Sequence, residues 1–290
     1  MSNRPIRLAI PIALVLAPVA LAQETKPTKA TVTASDGVKI AYQVSGKGDT
    51  ALVFIHGWCG DHEYWKNQVD AFAGDYRLVT FDMAGHSGSG KDRKEWTVAS
   101  LAGDVETLVK ELALKRVILI GHSMGGGVAL LAAKKLPGVV VGVICVDTFQ
   151  NVEFKFPEDQ AKQFLDAFDK DFKGSLEMFM PGMLPEKVDP ELRSWILKKA
   201  EAQDPKMASA LMRKYFHADE KTILKDAKVP VRGINSGGGF QFYTPTAVET
   251  NKKYADFKAV TIPEVGHYPM LEKPNEFNEK LRETLKEFAK

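Results

Sequence analysis

Apolar positions along this chain follow two rhythms. Short continuous runs at Ala51–Ile55, Arg77–Phe81, Val117–Ile120, Val139–Val146, Val229–Asn235 and Phe257–Ile262 have the length and β-branched content of buried strands. Between them, apolar residues recur three and four apart, which predicts helices. One such stretch covers Tyr64–Ala73. Another starts at Thr97, a good N-cap, and runs to about Leu112 with Leu101, Val105, Leu108 and Leu112 on one face. A third follows Gly125, a fourth lies near Ala247–Tyr254, and the last begins at about Glu276. Thr31–Ala34 and Val38–Val44 predict two further strands joined by a turn at Asp36-Gly37. Strands that are apolar throughout and alternate with helices predict an α/β protein with a mostly parallel sheet covered on both faces. The alternation lapses between Gln150 and Lys221, a helical stretch with several prolines that carries Met178, Phe179, Met180, Met183, Met207 and Met212.

The N-terminus has a different pattern. Arg4 and Arg7 precede an apolar run from Leu8 to Leu21, which ends in the small-x-small sequence Ala20-Leu21-Ala22. Basic start, short apolar stretch and cleavage site together predict a secretory signal over residues 1–22 and an exported protein, periplasmic or secreted. The run is short for a membrane span and is interrupted by Pro11 and Pro18, so no stable membrane insertion is expected after its removal. Losing residues 1–22 takes Arg4 and Arg7 from the 39 Lys and Arg and leaves the 37 Asp and Glu untouched, a balanced chain. With no basic patch, nucleic acid is not an expected partner. Cys59 and Cys145 are the two cysteines, and nothing in their spacing brings them within bridging distance, so both are expected as free, mostly buried thiols.

The chemistry concentrates at Gly121-His122-Ser123-Met124-Gly125. A strand precedes this G-x-S-x-G and a helix follows it, the context of a nucleophile elbow that holds one serine hydroxyl clear of the backbone. Glycine is needed at Gly121 and Gly125 because strand and helix pass too close there for a Cβ. The helix start also aims free N–H groups and the positive dipole end at the space beside Ser123.

Three more local matches accompany the elbow: His56-Gly57, Asp82-x-x-Gly85-His86 and Gly266-His267-Tyr268-Pro269. With them the chain resembles the α/β-hydrolase family from about residue 30 onward. The resemblance implies a mostly parallel eight-stranded sheet flanked by helices, with a helical cap inserted after the sixth strand. The core is then 23–149 and 222–290, and the cap 150–221. It implies Ser123 as nucleophile and His267 as its base. The acid commonly follows the seventh strand, but Asn235-Ser236-Gly237-Gly238-Gly239 holds none. Asp147, after the sixth strand where haloalkane dehalogenases carry theirs, is the expected acid, ahead of Asn235 and Glu264. The oxyanion donors are expected to be the backbone N–H groups of Met124 and Trp58, with the Trp58 indole available to line the pocket.

The other histidines are expected elsewhere. His56 and His86 hold their own loops, the His122 ring points away, and His62 and His217 have no partner motif. A metal site from His56, Cys59, Asp61 and His62 fails on spacing, and no cofactor is implied. Serine at position 123, where a dehalogenase or epoxide hydrolase has aspartate, argues against both. The methionines and phenylalanines of the insertion fit an adaptable wall over the site or the insertion's own core. The implied activity is that of a serine hydrolase acting on a small to medium carboxylic ester or lactone with an apolar acyl part. Carbon–carbon bond hydrolysis, perhydrolysis and a non-enzymatic ligand receptor are the alternatives on the same residues.

Overall fold

The computed structural model describes residues 27–238 and 248–289. The expected signal segment, Gly239 and Ala247 lie outside the described residues. Eight strands, β1 (Thr28–Thr33), β2 (Lys39–Gly46), β3 (Thr50–Ile55), β4 (Arg77–Phe81), β5 (Arg116–His122), β6 (Val140–Val146), β7 (Val231–Ser236) and β8 (Phe257–Ile262), form one sheet. Their order is β1-β2-β4-β3-β5-β6-β7-β8. β2 pairs antiparallel with β1 and β4, and every pairing from β4 to β8 is parallel. β3, β5 and β6 are buried almost end to end, as strands with both faces covered must be.

The helices are α1 (Lys66–Phe72), α2 (Val98–Glu111), α3 (Met124–Lys135), α4 (Glu158–Lys170), α5 (Phe172–Phe179), α6 (Pro190–Glu201), α7 (Pro205–Phe216), α8 (Glu220–Asp226), α9 (Val248–Asn251), α10 (Pro269–Glu272) and α11 (Pro274–Leu285). Thr97 caps α2 through a reciprocal pair of bonds with Ser100, a device that stabilises a helix start by about 1 kcal/mol. α2 and α8 both pack on α3, which lies against β3, β5 and β6, while α1, α10 and α11 pack together with α11 on β7 and β8.

Some boundaries differ from the sequence reading. The helix expected from Tyr64 opens instead as a 3-10 turn, His62–Trp65, capped by Asp61, and α1 follows at Lys66. α11 starts at Pro274 rather than Glu276, because a proline at the first helical position gives up no hydrogen bond. α4 to α7 fill the insertion between β6 and β7, and α8 returns to the core against α3, where Asp226 pairs with Lys134 at 2.8 Å. The Phe164 ring centre lies 4.5 Å from that of Phe168, tilted, and 4.8 Å from that of Phe179, edge-on, so the insertion has an aromatic core of its own. Cys59 and Cys145 are buried and unbridged. Among the described residues, no helix is long and apolar enough to cross a membrane.

Candidate active site

β5 ends at His122 and α3 begins at Met124, leaving Ser123 alone in the turn with φ 53° and ψ −125°. A serine pays for that left-handed conformation with roughly 1–3 kcal/mol of strain, which only dense surroundings sustain. They are dense. A Cβ on Gly121 would collide with the carbonyl of Gly125, and one on Gly125 would lie 2.5 Å from the carbonyl oxygen of His56. A Cβ on Gly57 would come within 3.1 Å of the Ser123 Cβ. The Ser123 N–H donates to Val146 O on β6 at 3.0 Å, which ties the turn to the neighbouring strand. Met124 is the first residue of α3, so its N–H has no acceptor within the helix.

His267 follows β8, at the same end of the parallel sheet. Its Nδ1–H donates to Asp147 Oδ2 at 2.7 Å, and both side chains are buried. The other oxygen, Asp147 Oδ1, accepts from the Ser236 N–H at 2.8 Å, the Ser236 hydroxyl at 2.7 Å and the Gln150 amide at 2.7 Å. Burial alone would push this carboxyl up, but the bonds from His267 and Ser236 outweigh it and hold the pKa below the ordinary aspartate value. Asp147 is thus held as an anion. Of the two weaker acid candidates, Asn235 is buried and its Oδ1 has no hydrogen-bond partner among the described residues, and Glu264 is 88% exposed and pairs with Lys273.

Three supports around His267 went unseen in the sequence. Glu272 accepts from the N–H groups on either side of it, Gly266 at 2.7 Å and Tyr268 at 2.9 Å. The His267 N–H itself donates to Met183 O in the insertion, at 2.7 Å. The third corrects the reading of His122. Its ring does not point away: Nε2–H donates to the carbonyl of His267 at 2.7 Å, and the two rings lie 4.7 Å apart. Burial, reinforced by the neighbouring His267 ring, lowers the His122 pKa to about 3, so it supports the site as a neutral donor. No motif announces these contacts, since each joins residues separated by a loop or by most of a domain.

The remaining histidines sort by burial. His56 donates from Nδ1 to Gly57 O and accepts the Met83 N–H, and His86 bonds Ala84 O. Burial lowers their pKa values to about 4 and about 3. His62 does have a partner, Asp82 at 2.7 Å, brought to it by the adjacent ends of β3 and β4. That bond raises the His62 pKa. Among the described residues no three His, Cys, Asp or Glu side chains are grouped to hold a metal ion.

Trp58 stands in a tight turn closed by Gly60 N–H to Gly57 O at 3.2 Å, with Cys59 in the left-handed region at φ 57°. Its indole donates to Ala208 O on α7 at 2.8 Å and meets the rings of Phe168 and Phe172 edge-on. Ser123, His267, Asp147 and Trp58 share one cavity of about 490 Å³. Met178, Met180, Met183, Met212, Phe164 and Phe179 roof it; all but the exposed Met178 are both wall and core of the insertion. Among the described residues, Asp147 is the only Asp, Glu, Lys or Arg in the lining.

A serine raised on a strand-to-helix turn, with a buried aspartate–histidine pair beyond the ends of later strands of the same parallel sheet, defines a class by its architecture. The sequence profile of the α/β-hydrolase fold matches residues 50–217, and the chain belongs to that family. It is 35% identical over 149 residues to a non-heme chloroperoxidase of Streptomyces lividans, an alignment covering 50% of this chain and 54% of that protein. The chain spans between 30% and 54% of the length of the first curated relatives it matches. Among solved structures, a thermophilic esterase from Thermogutta terrifontis superposes with a TM-score of 0.79 at 23% identity, over 92% of this chain and 100% of that one. An esterase from Exiguobacterium antarcticum superposes with a TM-score of 0.80 at 20% identity, over 89% and 100%. At these identities the likeness is one of fold.

Proposed function

We propose that this protein is a serine hydrolase that cleaves a small to medium carboxylic ester or lactone through an acyl-enzyme intermediate. The observation that carries the reading is the Asp147–His267 bond of 2.7 Å opening, with Ser123, onto one mainly apolar cavity. His267 takes the Ser123 proton as Oγ attacks the ester carbonyl, and Asp147 fixes the ring tautomer and stabilises the imidazolium. The backbone N–H groups of Met124 and Trp58 receive the oxyanion, each worth about 3–4 kcal/mol in comparable enzymes. His267 then returns the proton to the leaving alcohol. Water, deprotonated by the same ring, releases the acid. With the Asp147 carboxylate committed to His267, Ser236 and Gln150, no other Asp, Glu, Lys or Arg among the described residues lines the cavity, which favours an apolar acyl part.

The chloroperoxidase relative favours one second reading, perhydrolysis, in which hydrogen peroxide replaces water in the release step. Short p-nitrophenyl esters should be hydrolysed by the wild-type protein and not by Ser123→Ala, and a fluorophosphonate probe should add one label, at Ser123. Equal labelling of Ser123→Ala overturns the assignment. Peracid formed in the presence of peroxide, at a rate rivalling hydrolysis, would select the second reading.

We also propose export, on the order of Arg4, Arg7, apolar run and Ala20-Leu21-Ala22. Intact-mass analysis of protein from periplasm or medium should find Gln23 first. Met1 retained in a membrane fraction would identify an anchor instead.

A further inference from the structure

The loop that carries Trp58 is held from two sides. Up to Gly57 the core fixes it, through the His56 ring bonded to Gly57 O at 2.8 Å. Beyond that point its tethers run both to the core, where the His62 N–H and ring bond Asp82, and to the insertion. Ala208 O on α7 receives the Trp58 indole, and Lys199 on α6 reaches down to the residues that follow. Lys199 Nζ lies 2.5 Å from Asp61 Oδ2 and 2.6 Å from Glu63 Oε2. The ammonium also sits 4.7 Å from the Trp195 ring centre.

Asp61 is the centre of this clamp. Its side chain is 6% exposed, and its other oxygen accepts the Glu63 N–H at 3.0 Å, capping the 3-10 turn that leads to Tyr64. Tyr64 packs on Gly60 on one side, on Trp195 of α6 at 5.5 Å, and edge-on to Tyr268, the neighbour of His267, at 5.7 Å. Two carboxylates two residues apart repel each other, and one of them is buried. Without a cation between them the turn would carry an uncompensated buried charge. Burial alone would lower the Lys199 pKa, but the bonds to Asp61 and Glu63 raise it, so the ammonium is retained.

We infer that Lys199 is a positioning residue for the oxyanion loop: by bridging Asp61 and Glu63 from the insertion, it holds the Trp58 N–H where the developing oxyanion will sit. The inference rests on the esterase reading above, in which that N–H is a donor. A misplaced donor costs the transition state and leaves ground-state binding alone, so the loss belongs in kcat.

The test uses the full-length mature protein with a short p-nitrophenyl ester. Lys199→Met should lower kcat roughly 10- to 100-fold while KM stays within about twofold. Lys199→Arg, which keeps the charge and reaches both carboxylates, should recover most of the rate. Glu63→Gln, at a half-exposed position that threatens no core packing, should lose a few-fold in kcat. Hydrogen–deuterium exchange of residues 57–65 should quicken in Lys199→Met with little change elsewhere. Unchanged kcat, an equal loss in the arginine variant, or unchanged exchange overturns the inference. If the wild-type protein shows no Ser123-dependent turnover, the esterase reading fails instead, and the exchange measurement alone decides whether Lys199 holds the loop.

Discussion

Asp147→Asn is expected to lower kcat by about four orders of magnitude while leaving the folded protein intact. The size of the loss follows from the hydrogen bonds already counted at this carboxylate. Oδ1 accepts three donors, two from Ser236 and one from Gln150, so an asparagine must place its carbonyl oxygen there. Its amide then faces His267 Nδ1 as a donor. The ring can only answer by accepting, which moves its proton to Nε2, the nitrogen that has to accept from Ser123. Shape survives and the base is lost. Asp147→Ala should behave differently, because it leaves the Ser236 and Gln150 donors unpaired in a buried site and should lower the melting temperature as well as the rate. Steady-state kinetics and thermal melts of the two variants separate these effects. Retention of a tenth or more of the wild-type kcat in Asp147→Asn would remove Asp147 from the mechanism.

The second large effect concerns the turn itself. Gly125→Ala should destabilise the protein by about 3 kcal/mol or more, enough to abolish accumulation of folded protein in many hosts. The added carbon would stand 2.5 Å from His56 O and 2.7 Å from Ile55 O. Both are backbone atoms at the end of a central buried strand, which cannot swing aside as a side chain would. Gly103→Ala is the control. It lies on α2, where, among the described residues, nothing beyond the helix's own nearby backbone comes within 4 Å of its missing Cβ, so there alanine should stabilise by up to about 1 kcal/mol. Denaturant midpoints of the two variants should move in opposite directions. A Gly125→Ala protein as stable as wild type would mean that strand and helix do not pass as closely as described.

Much of the scaffold was legible because its rules are local. Arg77–Phe81 and Phe257–Ile262 were bounded to the residue by apolar runs between turn residues, and Thr97 was legible as a cap by its side chain. The turn at Ser123 announced itself because its two glycines and serine fall within five residues between a strand pattern and a helix pattern. Asp147 required an inference by absence, an empty loop after one strand and an acid after another. The contacts that hold it were not legible. Ser236 closes β7 within the stretch where an acid was sought, 89 residues from Asp147, and nothing in a serine before glycines marks it as the partner of an anion. The partnership of His62 with Asp82 was hidden for the same reason, since only the pairing of β3 with β4 makes neighbours of them. His122 was misread because its neighbours in sequence say nothing of the His267 loop, which reaches it across 145 positions.

The insertion leaves the sheet at Asp147 and returns to it at β7, and its two ends are fastened to each other: Asp147 N–H donates to Ile234 O at 3.0 Å, and Ser236 bonds the Asp147 carboxylate. The excursion is therefore a loop already closed at its neck, and doubling the length of such a loop costs only about 0.6 kcal/mol in closure entropy. Evolution can lengthen, shorten or recolour the roof, and with it the lining of the cavity, while the aspartate–histidine pair below stays where it is. That freedom is bounded where the roof sets its feet on the core: at Lys199 and Ala208 on the loop of Trp58, and at Met183, whose carbonyl receives the His267 N–H.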